Sequence, residues 1–123
     1  NLYDPLNFIL DINEFRKFYY KKYHLYYFSK KSLTKLFRKI GFKIKVEPLQ
    51  QASITNHFHW MHKRSPQKST NIMSSIHLPT NLLNNTKKNK YIKILNNVDD
   101  FYNKQLIENE IGDLLFAEIK NLK

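Results

Sequence analysis

Between Lys30 and Ile40, apolar residues recur at Leu33, Leu36, Phe37 and Ile40, with Lys30, Lys31, Lys35, Arg38 and Lys39 between them. That i, i+3, i+4, i+7 spacing predicts an amphipathic helix. Ser29 stands at its N-cap, and Gly41 at the left-handed position that ends it. Phe42 to Val46 then alternates apolar residues with Lys43 and Lys45, which predicts a half-exposed strand ending near Pro48. Its polar face suits a sheet edge or a solvent-facing surface. Upstream, Asp4-Pro5 favours a turn or a helix start, and Leu6, Ile9 and Leu10 follow at helical spacing. Ile12, Phe15, Phe18, Tyr19 and Tyr23 predict a second short helix, with Arg16, Lys17, Lys21 and Lys22 on its other side. Tyr23 to Phe28 is almost wholly apolar and aromatic, and reads as a strand or an extended loop.

The second half is less regular. Asn56 to Lys63 reads as a short helix capped by Thr55, and Ser65 to Thr70 as a loop around Pro66. Asn71 to Lys90, rich in Asn, Ser, Thr and Lys, reads as an insertion with short helical pieces. Val98 to Glu110 is expected to be helical, with Val98, Phe101, Tyr102, Gln105, Leu106 and Asn109 sharing a face. Asp99 and Asp100 would then sit at its positive N-terminal end. Gly112-Asp113 makes a turn, and Leu114 to Ile119 reads as a final buried strand. Two strands this far apart in sequence make a marginal sheet alone, so they are expected to form the edge of a larger one. The chain is thus expected to be a single partial domain. Residues 1–47 hold the first helices and strand, 48–97 an insertion, and 98–123 the closing helix and strand.

Composition sharpens this. The hydrophobic fraction is 41% and the aromatic fraction 15%, which excludes disorder throughout. Only two glycines are present, and no GxGxxG, so a complete nucleotide-binding turn is not expected. There is no cysteine, hence no disulfide or thiolate chemistry. No apolar run approaches the roughly 20 residues that span a membrane. Asn1 to Leu10 lacks the basic start and small-residue cleavage site of a secretory signal, so a cytoplasmic setting is expected. The net charge of +11 suits a polyanionic partner, and an Asn-, Lys- and Ile-rich coding bias accounts for it equally well.

Several short motifs follow one another in order. They are Asn1-Leu2-Tyr3-Asp4-Pro5-Leu6; His24, Leu25-Tyr26-Tyr27, Phe28-Ser29, the 30–40 helix and Gly41-Phe42; Gln50-Gln51; Asn56-His57-Phe58-His59-Trp60; and Asp113 before Leu114 to Ile119. This order resembles the C-terminal part of a class I S-adenosylmethionine-dependent methyltransferase of the bacterial methyltransferase-domain family. The match is best over residues 1–62 and 98–120. The chain departs from the family where Gln51 and Ala52 replace Arg and an aromatic, and where Pro66-Gln67-Lys68 replaces Pro-Gly-Gly. The resemblance implies an α/β fold: the C-terminal portion of a Rossmann-like sheet, with a helical segment inserted between its last two strands. It implies transfer of a methyl group from S-adenosylmethionine to a small, glycan-type or nucleotide-linked acceptor. The cofactor's glycine-rich turn and acidic ribose ligand are absent here, so the cofactor side is expected from sequence preceding Asn1 or from a partner chain.

In that frame His24 lies near the cofactor's methyl end, as a candidate general base or acceptor-orienting residue. A structural histidine bonded among aromatics fits the same position. Tyr20, Tyr23, Tyr26 and Tyr27, with Tyr19, are candidates to line the acceptor pocket, and an aromatic core accounts for them as well. Asn56, His57 and Trp60 border the acceptor site by the resemblance. His57, His59 and His62 lack the carboxylate or cysteine that would complete a metal site, so none is assigned. From Arg16 to Lys45 there are eleven Lys or Arg and no acid. This stretch reads as a solvated face or, alternatively, as a small nucleic-acid-binding module without catalysis.

Overall fold

The computed structural model describes residues 1–22, 24–67 and 85–121. Among these, five helices and a two-stranded antiparallel sheet give a mixed α/β architecture. In chain order they are α1 (Pro5–Phe8), α2 (Asn13–Tyr19), α3 (Lys30–Lys39), β1 (Phe42–Leu49), α4 (Ile54–Lys63), α5 (Asn85–Glu108) and β2 (Leu114–Asn121).

The first half follows its side-chain pattern closely. Asp4 Oδ1 accepts from Leu6 N at 2.8 Å, and Pro5 opens α1, where its missing N–H costs nothing. Ser29 and Ser32 form a reciprocal capping box at the start of α3. Gly41 ends that helix at φ +88°. The apolar side of α3 lies on β1, with the Phe37 and Phe42 rings 6.3 Å apart. Leu36 and Ile40 nevertheless stay exposed, and α3 buries no residue fully.

β1 pairs with β2 so that Phe42 opposes Asn121, Val46 opposes Ala117 and Leu49 opposes Leu114. Ile44, Val46 and Pro48 point into the fold. The strand runs through Pro48 and ends one residue later, at Leu49. Among the described residues β1 has a strand on one side only, so alternate N–H groups carry no ladder bond and proline is tolerated. β2 is less covered than a buried strand: Leu114, Phe116 and Ile119 are all exposed.

Other expectations shift. Residues 24–28 form an irregular loop, not a strand, tied to the chain start by Leu2 N donating to Phe28 O at 3.0 Å. α4 begins two residues before Asn56, and its cap is Ser53, not Thr55. The buried Ser53 Oγ accepts from Asn56 N at 3.3 Å. α5 begins at Asn85, so the end of the expected 71–90 insertion is helical; Tyr23 and residues 68–84 lie outside the described residues. The earlier start moves Asp99 and Asp100 from a helix end to the middle of α5. The inward stripe of α5 is Ile92, Leu95, Asp99, Tyr102 and Leu106, while Val98 and Phe101 are exposed. Of the expected face, Tyr102, Gln105 and Leu106 turn inward, while Val98, Phe101 and Asn109 do not, because the inward stripe runs through Asp99.

The core is small: Leu6, Ile12, Phe15 and Trp60, with Tyr19 packed against them. It joins α1, α2 and α4, and the Phe15 and Trp60 rings meet edge to face at 5.1 Å. Among the described residues no helix is long and apolar enough to cross a membrane.

Candidate functional site

A cavity of about 170 Å³ lies where α1, α2 and α4 meet the start of β2. Asp4 and Leu6 line it from the first helical turn, and Phe15, Phe18 and Tyr19 from α2. Gln51 and Ala52 line it from the loop after β1, and Asn56, His57 and Trp60 from α4. Pro66, Asp113 and Leu114 complete the wall.

The helical spacing of Asn56, His57 and Trp60 turns all three inward, and all are buried. His57 Nδ1 lies 2.7 Å from the hydroxyl of Tyr102. Its Nε2 has no hydrogen-bond partner among the described residues, and neither has Asn56 Oδ1. Burial pushes the His57 imidazole down to about 4, so the ring is neutral near pH 7. Burial likewise raises the Tyr102 hydroxyl to about 12.

Two carboxylates belong to the wall. Asp4 is 2% exposed, and desolvation lifts its carboxyl to about 6, against the lowering effect of its bonds to Leu6 and Asn7 backbone N–H groups. Asp113 grips the opposite loop. Its Oδ1 accepts from Gln51 N at 2.9 Å, and its Oδ2 from Ala52 N at 2.8 Å. Gln50 returns the clasp, accepting from Asp113 N at 3.1 Å and donating to Ala52 O at 2.6 Å. Desolvation still raises the Asp113 carboxyl above its ordinary value. The Tyr19 hydroxyl donates to Asn1 O at 2.7 Å, and burial raises it too.

The expected site residues therefore divide. Asn56, His57 and Trp60 come together in this cavity. Tyr20 does not line it; its hydroxyl accepts from Asn7 Nδ2 at 2.7 Å beside a surface groove shared with Tyr3 and Arg16. Tyr27 donates to Tyr19 O at 2.5 Å and braces α2 from outside. Tyr26 is 79% exposed. His24 is exposed, with its ring 6.1 Å from that of Tyr27, and it is not part of the wall. Tyr23 is outside the described residues. Asp4 and Asp113 were not among the expected site residues, because a helix cap and a turn explained them fully. Their immediate apolar neighbours, Leu6 and Leu114-Leu115, were the signal that these acids face inward.

A second feature runs along α3. Lys30, Lys31, Lys35 and Arg38 line a shallow groove with Tyr3 and Glu110, and Lys30 pairs with Glu110. Among the described residues no group of three or more His, Asp or Glu is placed to hold a metal ion. No known protein family, curated protein or solved structure matches this chain.

Proposed function

We propose that the chain is the acceptor-binding part of an S-adenosylmethionine-dependent methyltransferase, and that the cavity at Trp60 is its acceptor site. One observation carries this reading: four separated segments that bear the resemblance converge on one wall. They contribute Asp4 and Leu6, Gln51, the Asn56-His57-Trp60 set, and Asp113 with Leu114. Two further features support it. Leu49, Leu114 and Phe116 are exposed on one face of the sheet, and among the described residues β2 has no second strand neighbour. The exposed face suits a further layer packed over the sheet, and the open edge of β2 suits further strands.

The cofactor itself does not fit the described residues. Both glycines are committed, Gly41 to a helix end and Gly112 to a close approach on Leu49. The cavity is also of single-ring size, since a cavity of about 150 Å³ accepts benzene. No step of methyl transfer is therefore assigned to this chain; its residues bind and orient an acceptor. The test is the reading frame upstream of Asn1. An apolar strand, a glycine-rich turn and an acidic residue about twenty positions on support the proposal. The polypeptide carrying both parts is then assayed with labelled S-adenosylmethionine, and loss of transfer in Asn56→Ala at an unchanged unfolding midpoint ties it to the cavity. An upstream sequence without that turn leaves only a partner chain to supply the cofactor side, and absence of transfer in the chain with its co-purifying partner removes the reading.

The groove along α3 favours a second reading, a nucleic-acid-binding module. It predicts binding to single-stranded oligonucleotides that weakens steeply with salt and with Lys35→Glu and Arg38→Glu together.

A further inference from the structure

We infer that the cavity takes a compact cationic amine, a protonated primary amine carried on a single ring, with the Asp4 carboxylate as counter-charge and aromatic rings as walls. The inference rests on reading the cavity as an acceptor site, and it names the acceptor class; as an ammonium the nitrogen has no lone pair, so it becomes a methyl acceptor only after it hands a proton to the Asp4 carboxylate.

The charges on the wall run against the rest of the molecule. The chain carries a net +11, yet the cavity is lined by Asp4 and Asp113 and by no lysine or arginine. Two buried acids without a basic partner in the wall favour a cation between them. The Asn1 nitrogen donates to Asp113 O at 3.0 Å and to Tyr19 Oη at 3.2 Å, and as a free ammonium it is a charge partner of both acids; in a polypeptide with residues before Asn1 it is a backbone amide and that charge is gone. Both acids accept from backbone N–H groups, Asp113 from Gln51 and Ala52 and Asp4 from Leu6, and Asp4, at 2% exposed, is the more deeply buried and so the less screened counter-charge.

The second observation is independent of charge. Asn56 Oδ1 is a buried acceptor that lacks a donor, on a side chain lining the cavity. His57 Nε2 is likewise unpartnered, and becomes an acceptor when Nδ1 donates to Tyr102. A protonated amine supplies up to three donors, as many as these two acceptors and Asp4 could use, and the two buried atoms become reachable when their side chains turn toward the ligand. Trp60 supplies ring surface of the kind that attracts a desolvated cation, and Phe18 beside it already carries the Lys21 ammonium 4.4 Å from its centroid. The volume limits the ligand to about one ring with a short arm.

Trp60 is the chain's single tryptophan, so its fluorescence reports the cavity directly. The unaltered chain is titrated with benzylamine and with benzyl alcohol, its uncharged counterpart, at about pH 7.5. Benzylamine is expected to act at about tenfold lower concentration. Equal or weaker action by the amine overturns the inference. Asp4→Asn keeps a good helix cap and is expected to remove the preference while sparing alcohol binding; an undiminished preference overturns the inference. Should that variant not fold, the unaltered chain at about pH 5 asks the same question, because Asp4 is then largely protonated. A preference that persists there overturns the inference. Labelled-methyl transfer in the polypeptide of the whole reading frame separates the two proposals. Amine binding without transfer leaves the cation site standing and removes the methyltransferase reading. Transfer to the alcohol alone does the reverse.

Discussion

His57 Nδ1 and the Tyr102 hydroxyl lie 2.7 Å apart, joining α4 to α5 across 45 residues of sequence. The rings meet nearly at right angles, 5.5 Å between centroids. This contact fixes which imidazole nitrogen faces away from α5. Tyr102→Phe keeps the ring and removes the oxygen, leaving a second buried imidazole nitrogen unpaired. It is expected to cost about 1–3 kcal/mol in urea unfolding. An unchanged midpoint shows that the contact carries no stability.

Asp4 and His57 share the cavity wall and respond to burial with opposite pH dependences. Asp4 is raised from 3.8 to about 6, so the folded state binds a proton that the unfolded chain has released. Its contribution is full below about 3.8 and is lost as pH rises through about 6. His57 is lowered from 6.5 to about 4, so the unfolded chain binds the proton. Its contribution is full above about 6.5 and is lost as pH falls through about 4. At 1.36 kcal/mol per unit each effect reaches about 3 kcal/mol, and the two largely offset each other. Asp4→Asn is expected to uncover the histidine and lose stability on acidification from about pH 6.5 to 4. His57→Gln is expected to gain over the same range. Slopes of the same sign in both variants would refute this account.

The helix caps, the glycine stop and the alternation of β1 were legible because each is set by neighbours within a few residues. Ser29, Asp4 and Gly41 act locally, so their residue types announce them. The cavity was legible through Asn56, His57 and Trp60, and through Tyr19 among the tyrosines. What the sequence hides is long-range use of polar groups. Asp99 resembles a cap for its own helix, yet it accepts from Ile54 N at 2.6 Å and so caps α4 instead. Asp113 resembles a turn residue, yet it holds the loop 61 and 62 residues away. The tyrosines of 20–27 look alike in sequence, and only three-dimensional placement separates the bracing Tyr27 from the exposed Tyr26.

That cross-helix cap yields a prediction. Asp99 is buried and also accepts from Asn103 Nδ2 at 3.2 Å. Asp99→Ala leaves the Ile54 amide at the start of α4 without its acceptor. It is expected to destabilise the fold by about 1–2 kcal/mol. Hydrogen exchange should quicken at Ile54 while the amides of α3 keep their protection. Uniform quickening across both helices indicates global destabilisation instead.

The two glycines are needed for different reasons, and substitution separates them. At Gly41 a Cβ meets nothing within 4 Å, but φ is +88°. Gly41→Ala therefore carries only the left-handed backbone cost of about 1–2 kcal/mol. At Gly112 a Cβ falls 2.3 Å from the Leu49 carbonyl oxygen, a backbone atom that no side-chain rotation relieves. The clash lies one residue from Asp113, whose carboxylate holds Gln51 and Ala52 on the cavity wall. Gly112→Ala must push the end of β1 from the start of β2, at a cost of about 2–3 kcal/mol. Because the same displacement loosens the wall, Trp60 emission is expected to move to longer wavelength in Gly112→Ala and to stay unchanged in Gly41→Ala. An equal shift in both variants means that the wall depends on overall stability and not on the approach of Gly112 to Leu49.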